Sequence, residues 1–176
     1  MKLRSAFFVV VLLLLTVTVC AAQSPMGFSP AEFYAVFDQV NSVLEGPECT
    51  YIRGNEEGGA FMLFSESLGI NMMYSGNNVN ALYLYYSYQS TDSEASNAGF
   101  TVFVSTLITL WSFGQIDSGV DINTVDYNAA FDEVMNVGLL ILTSEGPSNY
   151  WGYRLEMNNQ EENGYTEGLL RVTKAD

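Results

Sequence analysis

The sequence predicts an α+β domain, with an antiparallel sheet of about six strands and about three helices packed mainly on one face of the sheet. Three observations support this fold class. Apolar residues recur at helical spacing in three segments, short β-rich runs are divided by glycine and asparagine turns, and those turns are too short for parallel crossovers. The chain has 176 residues, which is long enough for one domain with its own core.

Residues 1–22 have the pattern of a secretory signal peptide. Lys2 and Arg4 give a positive start, an apolar run of about 13 residues follows, and small residues end the segment. A bilayer core takes about 20 residues to span, so the run is short for a membrane helix. We therefore expect cleavage after Ala22 and a secreted or periplasmic protein. The alternatives are an uncleaved anchor and a lipoprotein modified at Cys20, although β-branched residues precede that cysteine.

The expected mature part, residues 23–176, is a single acidic domain. Cleavage changes the net charge from −14 to −16, because four basic residues remain against twenty acidic ones. Nucleic acid and anionic membrane surfaces repel such a chain, whereas cations, cationic peptides and basic proteins stay open as partners. The alternative is that the acidity only keeps an exported protein soluble. Cys49 is the one remaining cysteine, so we expect no internal disulfide and a thiol that packs as a small hydrophobe.

The first helix is expected to begin at 29–32, after a short polar leader at 23–28. Ser29 is a capping residue, Pro30 suits the first helical position, and Glu32 completes a capping box. Apolar residues then follow at spacings of three and four, at Phe33, Val36, Phe37, Val40 and Leu44. Gly46-Pro47 is expected to stop the helix.

After this helix the period changes to that of strands. We expect strands at 50–53, 60–65, 70–74 and 80–89, separated by short glycine and asparagine turns. In the last strand Leu82, Leu84, Tyr86 and Tyr88 share one face, and Ala81, Tyr83, Tyr85 and Ser87 share the other. Such closely spaced strands predict an antiparallel meander.

Two further helices and two strands complete the expected fold. The segment 98–113 is apolar on most sides, which is typical of a buried helix. A loop over 114–123 leads to a third helix, with Asn123 or Asp126 as its cap. Its inner side is expected to carry Ala130, Phe131, Val134, Val137 and Leu140. The final strands are expected at 149–157 and 165–173.

The two ends of the domain resemble each other in sequence. Five residues of the first helix recur 94 positions later: Ala35, Phe37, Asp38, Val40 and Val43 return as Ala129, Phe131, Asp132, Val134 and Val137. Glu45-Gly46-Pro47 likewise returns at 145–147. One interpretation is a duplicated helix-strand-strand unit related by a pseudo-twofold axis. The other is that amphipathic helices and hairpins resemble each other by construction.

Catalytic chemistry has little support in the sequence. Histidine is absent, which removes the commonest general base and the usual zinc ligand, and no glycine-rich phosphate loop is present. The doublets Glu56-Glu57 and Glu161-Glu162 are candidates for acid-base pairs, but adjacent residues on a strand point to opposite faces. A loop with Asp117, Asp121, Asn123 and Asp126 is rich in oxygen ligands, but its spacing does not match a calcium loop. We therefore expect no catalytic residues, no metal and no cofactor.

Tyrosine is the residue type that best indicates a binding site. Tyr83 and Tyr85 lie on the strand face opposite its leucines, and Tyr74 is expected to neighbour them. Amphipathic rings on an uncovered face suit a protein, peptide or glycan partner. The alternative is that tyrosine simply has high β-propensity. The sequence thus favours an exported, non-enzymatic binding protein. The other hypotheses are a carboxylate-dependent hydrolase and an inhibitor or immunity-type protein for a basic target.

Overall fold

The computed structural model describes residues 24–54, 57–119, 127–144 and 146–175. These ranges contain three helices and a seven-stranded antiparallel sheet, so the predicted α+β class with an antiparallel sheet is confirmed. The helices are α1 (Pro30–Val43), α2 (Ser93–Asp117) and α3 (Tyr127–Thr143). The strands are β1 (Thr50–Arg53), β2 (Glu57–Ser65), β3 (Leu68–Ser75), β4 (Asn78–Gln89), β5 (Ser148–Tyr150), β6 (Tyr153–Glu162) and β7 (Tyr165–Lys174).

The strand order is β1-β2-β3-β4-β7-β6-β5, and every neighbouring pair is antiparallel. The described strands number seven instead of about six, because the strand expected at 149–157 is two strands. Trp151 (φ +55°) and Gly152 (φ +79°) turn the chain back between β5 and β6. The duplicated unit stays a prediction, and the side chains of two of its residues, Ala129 and Glu145, are not among those described.

Helix α1 forms as its local sequence predicts. The Ser29 hydroxyl accepts from the Glu32 amide (3.2 Å), and the Ser29 amide donates to the Glu32 carboxylate (2.8 Å). These bonds, first from the Ser29 backbone and then from its side chain, lower the pKa of Glu32. Phe33 and Phe37 are fully buried on the inner side of the helix.

The leader expected at 23–28 is not a loose polar segment where it is described. The amide of Met26 donates to the Val79 carbonyl (2.8 Å), and the amide of Val79 donates to the Phe28 carbonyl (2.9 Å). The side chains of Met26 and Phe28 are buried in the core, where Phe28 stacks on Phe113 at 4.5 Å between ring centroids. The residues just before α1 are therefore part of the folded domain. Residues 1–22, the expected signal peptide, lie outside the described ranges.

Helix α2 is the central helix of the core, as its apolar character predicts. It is longer than the expected 98–113 and begins at an Asp92 cap that accepts from the Ala95 amide (3.0 Å). Its buried hydroxyls donate to carbonyls one turn back, as Thr106 does to Val102 (2.8 Å). Within the described residues it is the one helix long and apolar enough to span a membrane, but it is largely buried against the rest of the domain.

Helix α3 buries three of the five residues predicted for its inner side, and the other two are exposed. Ala130, Val134, Val137 and Ile141 are buried, whereas Phe131 and Leu140 are 39% and 56% exposed. The buried set follows the 3.6-residue period, and Phe131 and Leu140 fall outside that stripe. Gly138 lies in the same interface, where an added Cβ would come within 3.2 Å of Leu107 on α2. The expected caps of this helix, Asn123 and Asp126, lie outside the described ranges.

The helices pack against one set of alternate side chains of the sheet. In β4, Leu82, Leu84 and Tyr86 belong to the core shared with the helices, and Tyr88 packs against its border. Ala81 and Tyr85 are also buried, but they are not part of that core. The alternation predicted for this strand is therefore present, and it leaves the second side of the sheet facing away from the helices.

Candidate functional site

The sheet side that faces away from the helices, here called the open face, is the best candidate site. Cross-strand register places Phe61, Asn71, Tyr83 and Arg171 opposite one another on β2, β3, β4 and β7. Because opposed residues of neighbouring strands point to the same side, these four side chains form one row across the sheet. Around this row the open face carries Ile52, Leu63, Met73, Tyr85 and Leu169.

The structure brings two of the three predicted tyrosines together. Tyr83 lies in the row and is partly exposed. Tyr85 lies on the same face but is only 8% exposed, because its ring rests over Gly69 of β3. A Cβ added at Gly69 would come within 2.6 Å of the Tyr85 hydroxyl, so only glycine leaves space for the ring. Burial raises the pKa of Tyr85, and the ring is a neutral phenol at physiological pH.

Tyr74 does not lie on the open face. It is 3% exposed among the core residues on the helix side, and its hydroxyl donates to the Gly54 carbonyl (2.9 Å). The Arg53 guanidinium lies 5.6 Å from the centre of its ring. Tyr74 shares the alternation of Ile70 and Met72, the core residues of β3, and this periodicity predicts its placement. It therefore drops out of the candidate site.

Asn71 is the site residue that the sequence analysis missed. It is 1% exposed, and its Oδ1 accepts no hydrogen bond from the described residues. Oδ1 lies beside Gly59, where an added Cβ would come within 3.1 Å of it and within 3.0 Å of the Phe61 ring. A buried acceptor without a donor costs about 1–3 kcal/mol. The available signal was one amide side chain in an otherwise apolar strand, between Ile70 and Met72.

Charge is distributed unevenly over the open face. The described open-face side chains of β1 to β4 are all uncharged, although the chain carries twenty acidic residues. Arg171 borders this uncharged area at β7, and Glu156 of β6 stands opposite Arg171 on its far side. Glu167 lies further along β7, where it accepts from Gln160 (2.9 Å). Glu167 also borders the uncharged area directly, because it stands opposite Ser87 of β4 and accepts from the Ser87 hydroxyl (3.4 Å).

The acidic candidates do not assemble into a second site within the described residues. Glu161 and Glu162 are exposed at the end of β6, and strand alternation turns them to opposite faces. Asp117 forms an ion pair with Lys174 (2.8 Å). Glu56, the side chain of Glu57, and the loop residues Asp121, Asn123 and Asp126 lie outside what is described. The described part contains no group of three or more His, Cys, Asp or Glu placed to hold a metal ion.

Two other polar features have structural explanations. The Cys49 thiol is half-buried, and burial, followed by the nearby Asp38, raises its pKa and keeps it protonated. Glu133 accepts from the indole N–H of Trp111 (3.1 Å) with Oε2 and from that of Trp151 (2.7 Å) with Oε1. This carboxylate therefore ties α3 to α2 and to the turn between β5 and β6, a role that spacing along the sequence did not reveal.

Comparison of the chain with protein-family models, with curated proteins and with solved structures finds no match.

Proposed function

We propose that this chain is an exported, non-enzymatic binding protein that holds its partner on the open face. The observation that carries the proposal is the row of Phe61, Asn71, Tyr83 and Arg171. It combines two aromatic rings, a buried amide oxygen in need of a donor, and a cation. Sites for organic ligands and protein partners combine apolar contact area with a few fixed polar groups in this way. Export and a secreted or periplasmic location belong to the same proposal and rest on residues 1–22.

The experiment is a comparative capture with three forms of the mature protein. The wild type, Tyr83→Ala and Leu139→Ala are immobilised and exposed to the medium and envelope fraction of the producing cells. Leu139 is an exposed apolar residue of α3, on the helix side of the molecule, so its variant is a matched control. The proposal expects a component that the wild type and Leu139→Ala retain and that Tyr83→Ala loses.

Equal retention by all three forms would contradict the use of the open face. The hydrolase and the inhibitor of a basic target, which were the other hypotheses, depend on carboxylates instead of Tyr83. Either one predicts that Tyr83→Ala still binds. Retention by an acidic surface would also fall steeply as the salt concentration rises, because exposed charges are screened.

A further inference from the structure

We propose that docking of residues 26–28 into the core closes the site at which the signal peptide is removed, so that cleavage has to precede folding. This inference rests on the export that is part of the proposed function. The expected cut follows Ala22, and Met26 is the first described residue with a buried side chain. Residues 23–25 alone separate the bond to be cut from the folded core.

The segment 26–28 is held by its backbone as well as by its side chains. The amide of Met26 and the carbonyl of Phe28 form hydrogen bonds to Val79 (2.8 and 2.9 Å). The Met26 carbonyl also accepts from the Tyr153 hydroxyl (3.2 Å). Met26 is 0% exposed and Phe28 is 1% exposed. Docking therefore fixes the path of the chain just after the cleavage site.

A docked segment is a poor substrate for two reasons. A protease cuts a chain that lies extended in its cleft, so a folded stretch has to open before it is cut. Residues 23–25 also reach only about 10 Å when fully extended, whereas a domain of this size has a radius of gyration of about 15 Å. The folded domain therefore stands beside the bond, in the space that the peptidase needs.

The contacts of the segment determine the order of events. Tyr153 lies 127 positions after Met26, and the ring partner Phe113 also lies far along the chain. Docking has to wait until these residues have been exported and have folded, which leaves a period in which the bond after Ala22 is accessible. A chain that is cut in this period is released. A chain that folds first keeps residues 1–22 and stays attached through their apolar run.

The test compares rates of cleavage by purified signal peptidase in detergent micelles. The substrates are the refolded full-length chain, a synthetic peptide of residues 1–32, and a spacer form with about ten Gly and Ser residues inserted between Ser24 and Pro25. The spacer moves the bond away from the domain and changes no docked residue. We expect the peptide and the spacer form to be cut at similar rates, and the refolded wild type at least about 100-fold more slowly.

Two variants distinguish local opening from a general loss of stability. Phe28→Ala removes the main anchor of the segment, and its folded form should be cut at least about tenfold faster than the wild type. Ile141→Ala removes a buried side chain near the C-terminal end of α3 and should change the rate by less than about threefold. Tryptophan fluorescence checks that each variant is folded before the enzyme is added. Equal acceleration by the two variants would overturn the role of residues 26–28.

The remaining outcomes separate this inference from the proposed function. Equal rates for the refolded wild type and the spacer form overturn the closed site, whether both are fast or both are slow. A peptide that is not cut after Ala22 overturns the cleavage itself and with it the proposed export, while binding on the open face is still decided by the capture experiment. A peptide that is cut, together with a protected wild type and a cut spacer form, supports both the export and the closed site.

Discussion

Phe28 should be among the most costly side chains to remove, although the sequence places it in an expected leader. It is 1% exposed, and its ring contacts three others: Phe113 at 4.5 Å, Phe33 at 5.5 Å and Tyr153 at 6.1 Å. Truncating a buried phenylalanine to alanine costs about 3–5 kcal/mol. For a domain of this size each kcal/mol lowers Tm by about 2–4 °C. Phe28→Ala should therefore lower Tm by at least about 6 °C.

The assay is urea denaturation of the mature protein, followed by far-UV circular dichroism and repeated as a thermal scan. Pro25→Ala is the matched control, because Pro25 lies three residues earlier and its side chain is exposed. It should stay within about 0.5 kcal/mol of the wild type, as surface substitutions usually do. A Phe28→Ala variant that also stays within that range would refute the docking of this segment into the core. The same result would return residues 24–28 to the loose leader that the sequence predicts.

Three further predictions concern other parts of the chain. Glu133→Gln should lower the free energy of unfolding by about 1 kcal/mol, because one indole N–H loses its acceptor. Urea denaturation read by the fluorescence of the two tryptophans measures this, and an equal loss in Asp132→Asn, at the neighbouring exposed carboxylate, would contradict it. Stability should fall between about pH 10 and pH 12, because burial, followed by the nearby Tyr88, raises the pKa of Tyr86 from 10.0 to about 12. In that window the unfolded chain loses the proton that the folded chain keeps, so this contribution is intact below pH 10 and lost as the pH rises through 12. The urea midpoint at pH 9 and pH 11 tests it, and an undiminished drop in Tyr86→Phe would assign the effect to other groups. The intact mass of the exported protein should correspond to a chain that begins at Gln23, and a mass that includes residues 1–22 would contradict cleavage after Ala22.

Structural features that depend only on residues adjacent in the sequence were predicted correctly. The start of α1 depends on a box of four residues, and the alternation in β4 depends on a period of two. The turn between β5 and β6 was missed because tryptophan is uncommon at positive φ. Trp151 is placed there by distant contacts: Glu133 accepts from its indole, and an added Cβ at Gly114 would lie within 2.6 Å of its backbone carbonyl oxygen. Neither contact is visible in the local pattern.

The candidate site likewise has a part that local periodicity predicts and a part that it does not. Periodicity correctly places Tyr83 and Tyr85 on one face, and applied to β3 it also places Tyr74 on the other. Asn71 could not be recognised as a site residue from its own strand, because its importance comes from neighbours on β2 and β4. The lack of a donor for its oxygen depends on which side chains surround it, and those belong to segments far apart in sequence.

An apolar sheet face that the described helices do not cover favours aggregation, and this chain reduces that hazard without removing it. The rings of Phe61 and Tyr85 come close to Gly59 and Gly69, which carry no side chain, so part of the face is covered by its own side chains. Coverage of the face explains the two glycines and the two rings, but it does not explain why position 71 is an asparagine. A leucine at this position would continue the apolar surface and remove a buried acceptor that costs about 1–3 kcal/mol. Stability alone therefore favours an apolar residue at position 71.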